Sequence, residues 1–110
     1  MKDYLKIKSV NEMTIEEKIG QLVMSGFLST SIDEFQDMIK DYKIGNVILF
    51  TRNYTDASQM LQLSEELYTR IVDEIGSFPL VAIDQEGGMV TRLFKDVTFP
   101  ASPMTTSATK

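Results

Sequence analysis

The chain has 110 residues, enough for one small domain with a modest core. Its 43% hydrophobic and 25% charged content is that of a soluble globular protein, and its net charge of −5 argues against nucleic acid or an anionic membrane as main partner. It has neither cysteine nor histidine, which excludes, within these residues, a disulfide framework, a thiolate nucleophile, a Ser-His-Asp triad and any His-based metal site.

Acid–base chemistry by this chain unaided must therefore use carboxylates, Lys or Tyr. The first eight residues carry scattered lysines and lack the apolar core of a signal peptide. No apolar run approaches the length of a membrane span. A cytoplasmic location is the default expectation.

Residues 1–12 are polar and mixed and read as an irregular lead-in. Thr14-Ile15-Glu16-Glu17 fits a capping box, with Thr14 as N-cap. It predicts a short helix with Ile15, Ile19 and Leu22 on one face. Leu22-Val23-Met24 then gives way to Ser25-Gly26-Phe27, a first strand opening into a loop. Ser31-Ile32-Asp33-Glu34 is a second capping box. Ile32, Phe35, Ile39 and Tyr42 follow at helical spacing, with Gly45 as the helix stop.

Asn46 to Phe50 reads as a second buried strand, with Thr51-Arg52-Asn53-Tyr54 at its carboxyl end. Asp56 with Gln59 resembles a third capping box. The helix it starts runs to Ile75, with Met60, Leu63, Leu67, Ile71 and Ile75 as an apolar stripe that covers a sheet, and Gly76 ends it. The tail from Thr98 to Lys110 is small, polar and Pro-punctuated, and reads as a loop. Apolar strands alternating with amphipathic helices predict βαβ crossovers and a parallel sheet needing cover on both faces.

The third strand opens the most informative stretch, residues 79–93. Leu80-Val81-Ala82-Ile83 is a short apolar run fenced by Pro79 and by Gly87-Gly88. It ends on Asp84, and Glu86 follows two residues later, on the same side if the extended form persists. Gly87 and Gly88 allow a tight turn or close approach to a ligand. Arg92 lies just beyond. A carboxylate at the carboxyl end of a buried parallel strand is where α/β folds place ligand contacts. Asp and Gly-Gly are also ordinary turn formers, and the chemistry alone leaves the two readings level.

Three segments bear a family resemblance: Met-Thr-Ile-Glu-Glu-Lys-Ile-Gly-Gln-Leu (13–22), Gly-Asn-Val-Ile-Leu-Phe-Thr-Arg-Asn-Tyr (45–54) and Ala-Ile-Asp-Gln-Glu-Gly-Gly-Met-Val-Thr-Arg-Leu (82–93). In order and spacing they resemble glycoside hydrolase family 3, most closely its β-N-acetylglucosaminidase (β-N-acetylhexosaminidase) branch. The third segment is the most specific. The resemblance implies an α/β chain forming the N-terminal portion, about three β/α units, of a (β/α)8 TIM barrel, with its site at the strands' carboxyl ends.

The resemblance further implies that Asp84 accepts hydrogen bonds from sugar hydroxyls and that Arg92 also contacts the sugar. Glu86, Gly87 and Gly88 are expected to organise the loop, and Arg52 and Asn53 to form the turn and support from behind. The alternative for Arg92 is a loop-bracing ion pair, with Glu86 as a candidate partner. The family usually has Arg after the Gly-Gly pair; this chain has Met89.

The implied reaction is retaining hydrolysis of terminal β-linked N-acetylglucosamine in oligosaccharides, chitin-derived or muropeptide-like cell-wall fragments, with no metal or organic cofactor. In this branch the nucleophile is an Asp far downstream and the acid/base a His on a later loop. A whole barrel takes about 250 residues. The expectation is thus an incomplete domain over 1–110, without the catalytic pair, inactive alone, and a partner for the remaining C-terminal part of the barrel. Three alternatives stay open. One is a non-catalytic relic or weak sugar binder; another is a β-glucosidase-type parent; the third is a small doubly wound domain binding phosphate, or Mg²⁺ through Asp84 and Glu86.

Overall fold

The computed structural model describes residues 6–99 and 101–108. The first five residues of the expected lead-in, and Pro100, Thr109 and Lys110 of the expected terminal loop, lie outside the described residues. Three strands, β1 (Met24–Ser25), β2 (Asn46–Leu49) and β3 (Val81–Ile83), form a parallel sheet in the order β1-β2-β3. Val47 pairs with Val81, Ile48 with Ala82 and Leu49 with Ile83. Helices α1 (Ile15–Gly20), α2 (Gln36–Tyr42), α3 (Ala57–Ile75) and α4 (Pro103–Ala108) complete the chain.

The caps explain the helix starts. Thr14 Oγ1 accepts from the Glu17 amide at 3.2 Å, and the Thr14 amide donates back to the Glu17 carboxylate at 2.9 Å. Asp56 Oδ1 accepts from the Gln59 amide at 2.9 Å and starts α3. The second box is built differently from the reading above. Ser31 Oγ accepts from the Asp33 amide, opening a 3-10 turn over Ile32–Phe35 that leads into α2. Glu34 turns away to accept from the Leu28 and Ser29 amides, both at 2.8 Å.

Other boundaries shift for local reasons. Gly45 is not the stop of α2; Lys43 adopts φ 56° as its cap, and the Ile44 amide then bonds Met38 O. The segment after Ser102 is not all loop, because Ser102 Oγ accepts from the Thr105 amide and caps α4. The described part of the lead-in is tied to the domain. The Lys8 amide donates to Gly76 O at 2.8 Å, Lys8 Nζ lies 2.5 Å from the Glu17 carboxylate, and Lys6 pairs with Asp73.

The core lies on one face of the sheet. Val47 and Leu49 pack with Ile32, Phe35 and Ile39 before and within α2, and with Leu63, Leu67, Ile71 and Ile75 of α3. Each such side chain contributes roughly 1.5–3 kcal/mol on burial. Of the expected stripes, Met60 is only partly buried, Tyr42 is exposed, and Ile15, Ile19 and Leu22 of the first helical segment face solvent. The opposite sheet face is less covered: Ile48 is half-buried, and Met24 on the β1 edge is exposed. Right-handed crossovers place successive helices on one side of a parallel sheet, so cover by these helices is one-sided.

Candidate functional site

The register decides which side chains meet at the strand ends. Val47, Leu49 and Ile83 belong to the helix-covered core, so Ile48 and Ala82 face the other way. The same alternation carries Phe50, after β2, and Asp84, after β3, to that open face. Arg92 returns to it from the following loop. Its guanidinium carbon stands 5.5 Å from the Phe50 ring centroid, and Nη2 lies 3.8 Å from Asp84 Oδ2. Arg52 stacks on the same ring at 4.4 Å.

The structure brings Asp84 and Arg92 together, and it corrects one expectation. The ion-pair neighbour of Arg92 is Asp84, not Glu86. The pair is loose. At 3.8 Å it is a charge contact and not a hydrogen bond. Among the described residues no side chain or amide donates to the Asp84 carboxylate. Arg92 Nε is buried with no hydrogen-bond partner, while the two side chains remain 29% and 49% exposed. A carboxylate and a guanidinium thus sit side by side with hydrogen-bonding capacity unused.

The loop from 84 to 93 is held chiefly by Gln85. Its Oε1 accepts from the Arg92 amide at 2.8 Å and the Leu93 amide at 3.1 Å, while Nε2 donates to Leu93 O at 3.1 Å. Glu86 contributes through its backbone, its amide donating to Val90 O at 2.9 Å. Gly87 takes φ 66°, which a side chain would resist, and the Gly88 amide and carbonyl both bond the Thr91 hydroxyl. Met89 is fully exposed. Farther on, Tyr54 donates its hydroxyl proton to Lys95 O and meets Phe94 edge-on, ring centroids 5.4 Å apart.

Arg52 and Asn53 bind the neighbouring loop. Asn53 is wholly buried. Its Nδ2 donates to Phe27 O at 3.1 Å and Ser29 O at 2.7 Å, and its Oδ1 accepts from the Phe50 amide at 2.9 Å. Arg52 Nε also donates to Phe27 O, at 2.8 Å. The loop after β1 is thereby tied to the loop after β2. Glu34 fastens the same β1 loop, and the Ser29 amide, then the Leu28 amide, hold its carboxyl below the usual carboxylate range. Gln85 lies inside the 82–93 motif, but it carries no charge and no role of its own could be read there. Asn53 was legible as a turn residue, and its burial was not.

The Arg92 guanidinium beside Asp84 opposes a divalent ion there. Among the described residues no group of three His, Cys, Asp or Glu is placed to hold a metal. No helix among them is long and apolar enough to cross a membrane.

Residues 14–110 match the family model described as the glycosyl hydrolase family 3 N terminal domain. The chain belongs to glycosyl hydrolase family 3. A family 3 β-N-acetylglucosaminidase from Paenibacillus sp. superposes with a TM-score of 0.75 at 41% identity, covering 84% of this chain and 18% of that one. The protein called NagZ from Neisseria gonorrhoeae, crystallised in complex with N-trifluoroacetyl-D-glucosamine, superposes at 0.60 with 29% identity, covering 72% and 22%. A β-hexosaminidase of Nitrosospira multiformis is 42% identical over 55 residues, 50% of this chain and 15% of that protein. The chain thus spans a small part of the relatives it matches. Its parallel strands and flanking helices are β/α units from the N-terminal part of a family 3 barrel.

Proposed function

We propose that this family 3 segment supplies one wall of a subsite for terminal β-linked N-acetylglucosamine, with Asp84 and Arg92 as its sugar contacts. The observation that carries the reading is the loose Asp84–Arg92 pair on the open face beside Phe50, with the buried Nε of Arg92 unpartnered. An ionised carboxylate accepts from two adjacent hydroxyls, and a guanidinium donates to ring or acyl oxygens. Phe50 and Arg52 form the floor beneath Arg92, and Asn53 fixes that floor.

The bond-breaking groups lie outside these residues. A retaining glycosidase needs a nucleophile and an acid/base flanking the bond. In this branch the resemblance gives the acid/base role to a His, and the chain has none. The parent reaction is double displacement on N-acetylglucosaminides, and the chain's share in it is binding and orientation.

The test is a titration of the ¹⁵N-labelled chain with N-acetylglucosamine followed by NMR, repeated with Asp84→Asn and Arg92→Met. Hydrogen bonds to charged groups contribute about 1.5–3 kcal/mol each, so either variant should weaken binding roughly tenfold or more. Unchanged affinity in both variants, or shifts clustered away from residues 50, 84 and 92, would overturn the assignment. A chromogenic N-acetylglucosaminide should not turn over; turnover by the purified chain would refute the non-catalytic role.

A further inference from the structure

We infer that Gln85 positions Arg92, acting through the backbone without touching the ligand; this rests on the reading of Arg92 as a sugar contact. The Arg92 side chain is weakly held by its own contacts. Its Nε has no hydrogen-bond partner, its ion pair spans 3.8 Å, and its guanidinium lies 5.5 Å from the Phe50 centroid. None of these fixes a guanidinium at the end of four rotatable bonds. The backbone beneath it is fixed instead.

The half-buried Gln85 amide does this with three hydrogen bonds. It meets Leu93 as a neighbouring strand would, accepting from the amide and donating to the carbonyl, and it takes the Arg92 amide as well. Gln85 also directly follows Asp84. One clamp therefore sets the separation of the two groups across the loop between them. The residue type matters: Asn is one methylene too short to reach from the same backbone, and Glu keeps both acceptances but presents an oxygen to the Leu93 carbonyl.

Amide hydrogen exchange and N-acetylglucosamine titration on the 110-residue chain test this together, with Gln85→Ala and Gln85→Glu. In the Ala variant, protection at the Arg92 and Leu93 amides should fall about tenfold while α3 amides such as Leu67 stay unchanged, and sugar affinity should fall by a similar factor. Gln85→Glu should restore most of the protection and part of the affinity. Affinity lost with both amides still protected would overturn the inference, because Gln85 would then touch the sugar itself. Protection lost with affinity intact would overturn it too. If the wild-type chain binds no sugar, the subsite reading fails, and the exchange result alone decides whether Gln85 holds Arg92.

Discussion

Replacing Asn53 by Ala removes three hydrogen bonds at once, and the structure says which losses matter. Phe27 O keeps a donor, since Arg52 Nε also reaches it at 2.8 Å. Ser29 O and the Phe50 amide lose the Asn53 partners that hold them at 2.7 and 2.9 Å. A buried polar group left unpaired costs about 1–3 kcal/mol, and both losers are half-buried, so the lower half of the range applies to each. The sum is about 2–4 kcal/mol, a large share of the ~5–15 kcal/mol stability of a typical domain. Asn53→Asp should be worse, because it keeps the bond to the Phe50 amide but turns a carboxylate toward two carbonyls. Urea unfolding followed by circular dichroism gives the difference, and exchange at the Phe50 amide localises it. A loss under about 0.5 kcal/mol for Asn53→Ala would show that the two loops do not depend on this side chain.

Stability should fall on acidification. The Lys8 ammonium, then the Thr14 amide, hold the Glu17 carboxyl below its ordinary value of 4.5, so its contribution is present above that pH and lost as pH drops through the lower folded value. Glu17→Gln should therefore be less stable at neutral pH and lose less on acidification, as read from urea midpoints; an unchanged pH slope would contradict the pairing. Gly20→Ala should destabilise by about 1–3 kcal/mol although Ala favours helix by about 1 kcal/mol, because its Cβ would fall 2.0 Å from Lys43 O. A neutral or raised melting temperature would mean that α1 does not approach α2 so closely.

Helix α3 was readable because its stripe, its Asp56 cap and its Gly76 stop agree at every level. The strand positions were readable from short apolar runs, but β1 reduces to two residues, since its neighbouring turn claims Leu22 and Val23. Helix α4 was missed because Pro103 to Ala108 has no apolar period and starts on a single serine cap. The Lys43 cap was missed because a left-handed Lys leaves no mark in sequence. At the site, Asp84 stood out as a carboxylate at a strand end, and Arg92 through the family resemblance. Of the neutral amides nearby, Asn53 was expected as a turn residue but not as a buried tie to residues 27 and 29, and the bonds of Gln85 span a loop that no linear spacing encodes.

The ties running from Asn53 back to residues 27 and 29, and from Tyr54 forward to Lys95, have an engineering consequence. Each connection at this rim is anchored on a residue belonging to its neighbour. The loops are consequently not interchangeable parts. Grafting the 84–95 segment onto another family member would require carrying its tyrosine anchor along, and substitutions that retune one connection should evolve in concert with the next.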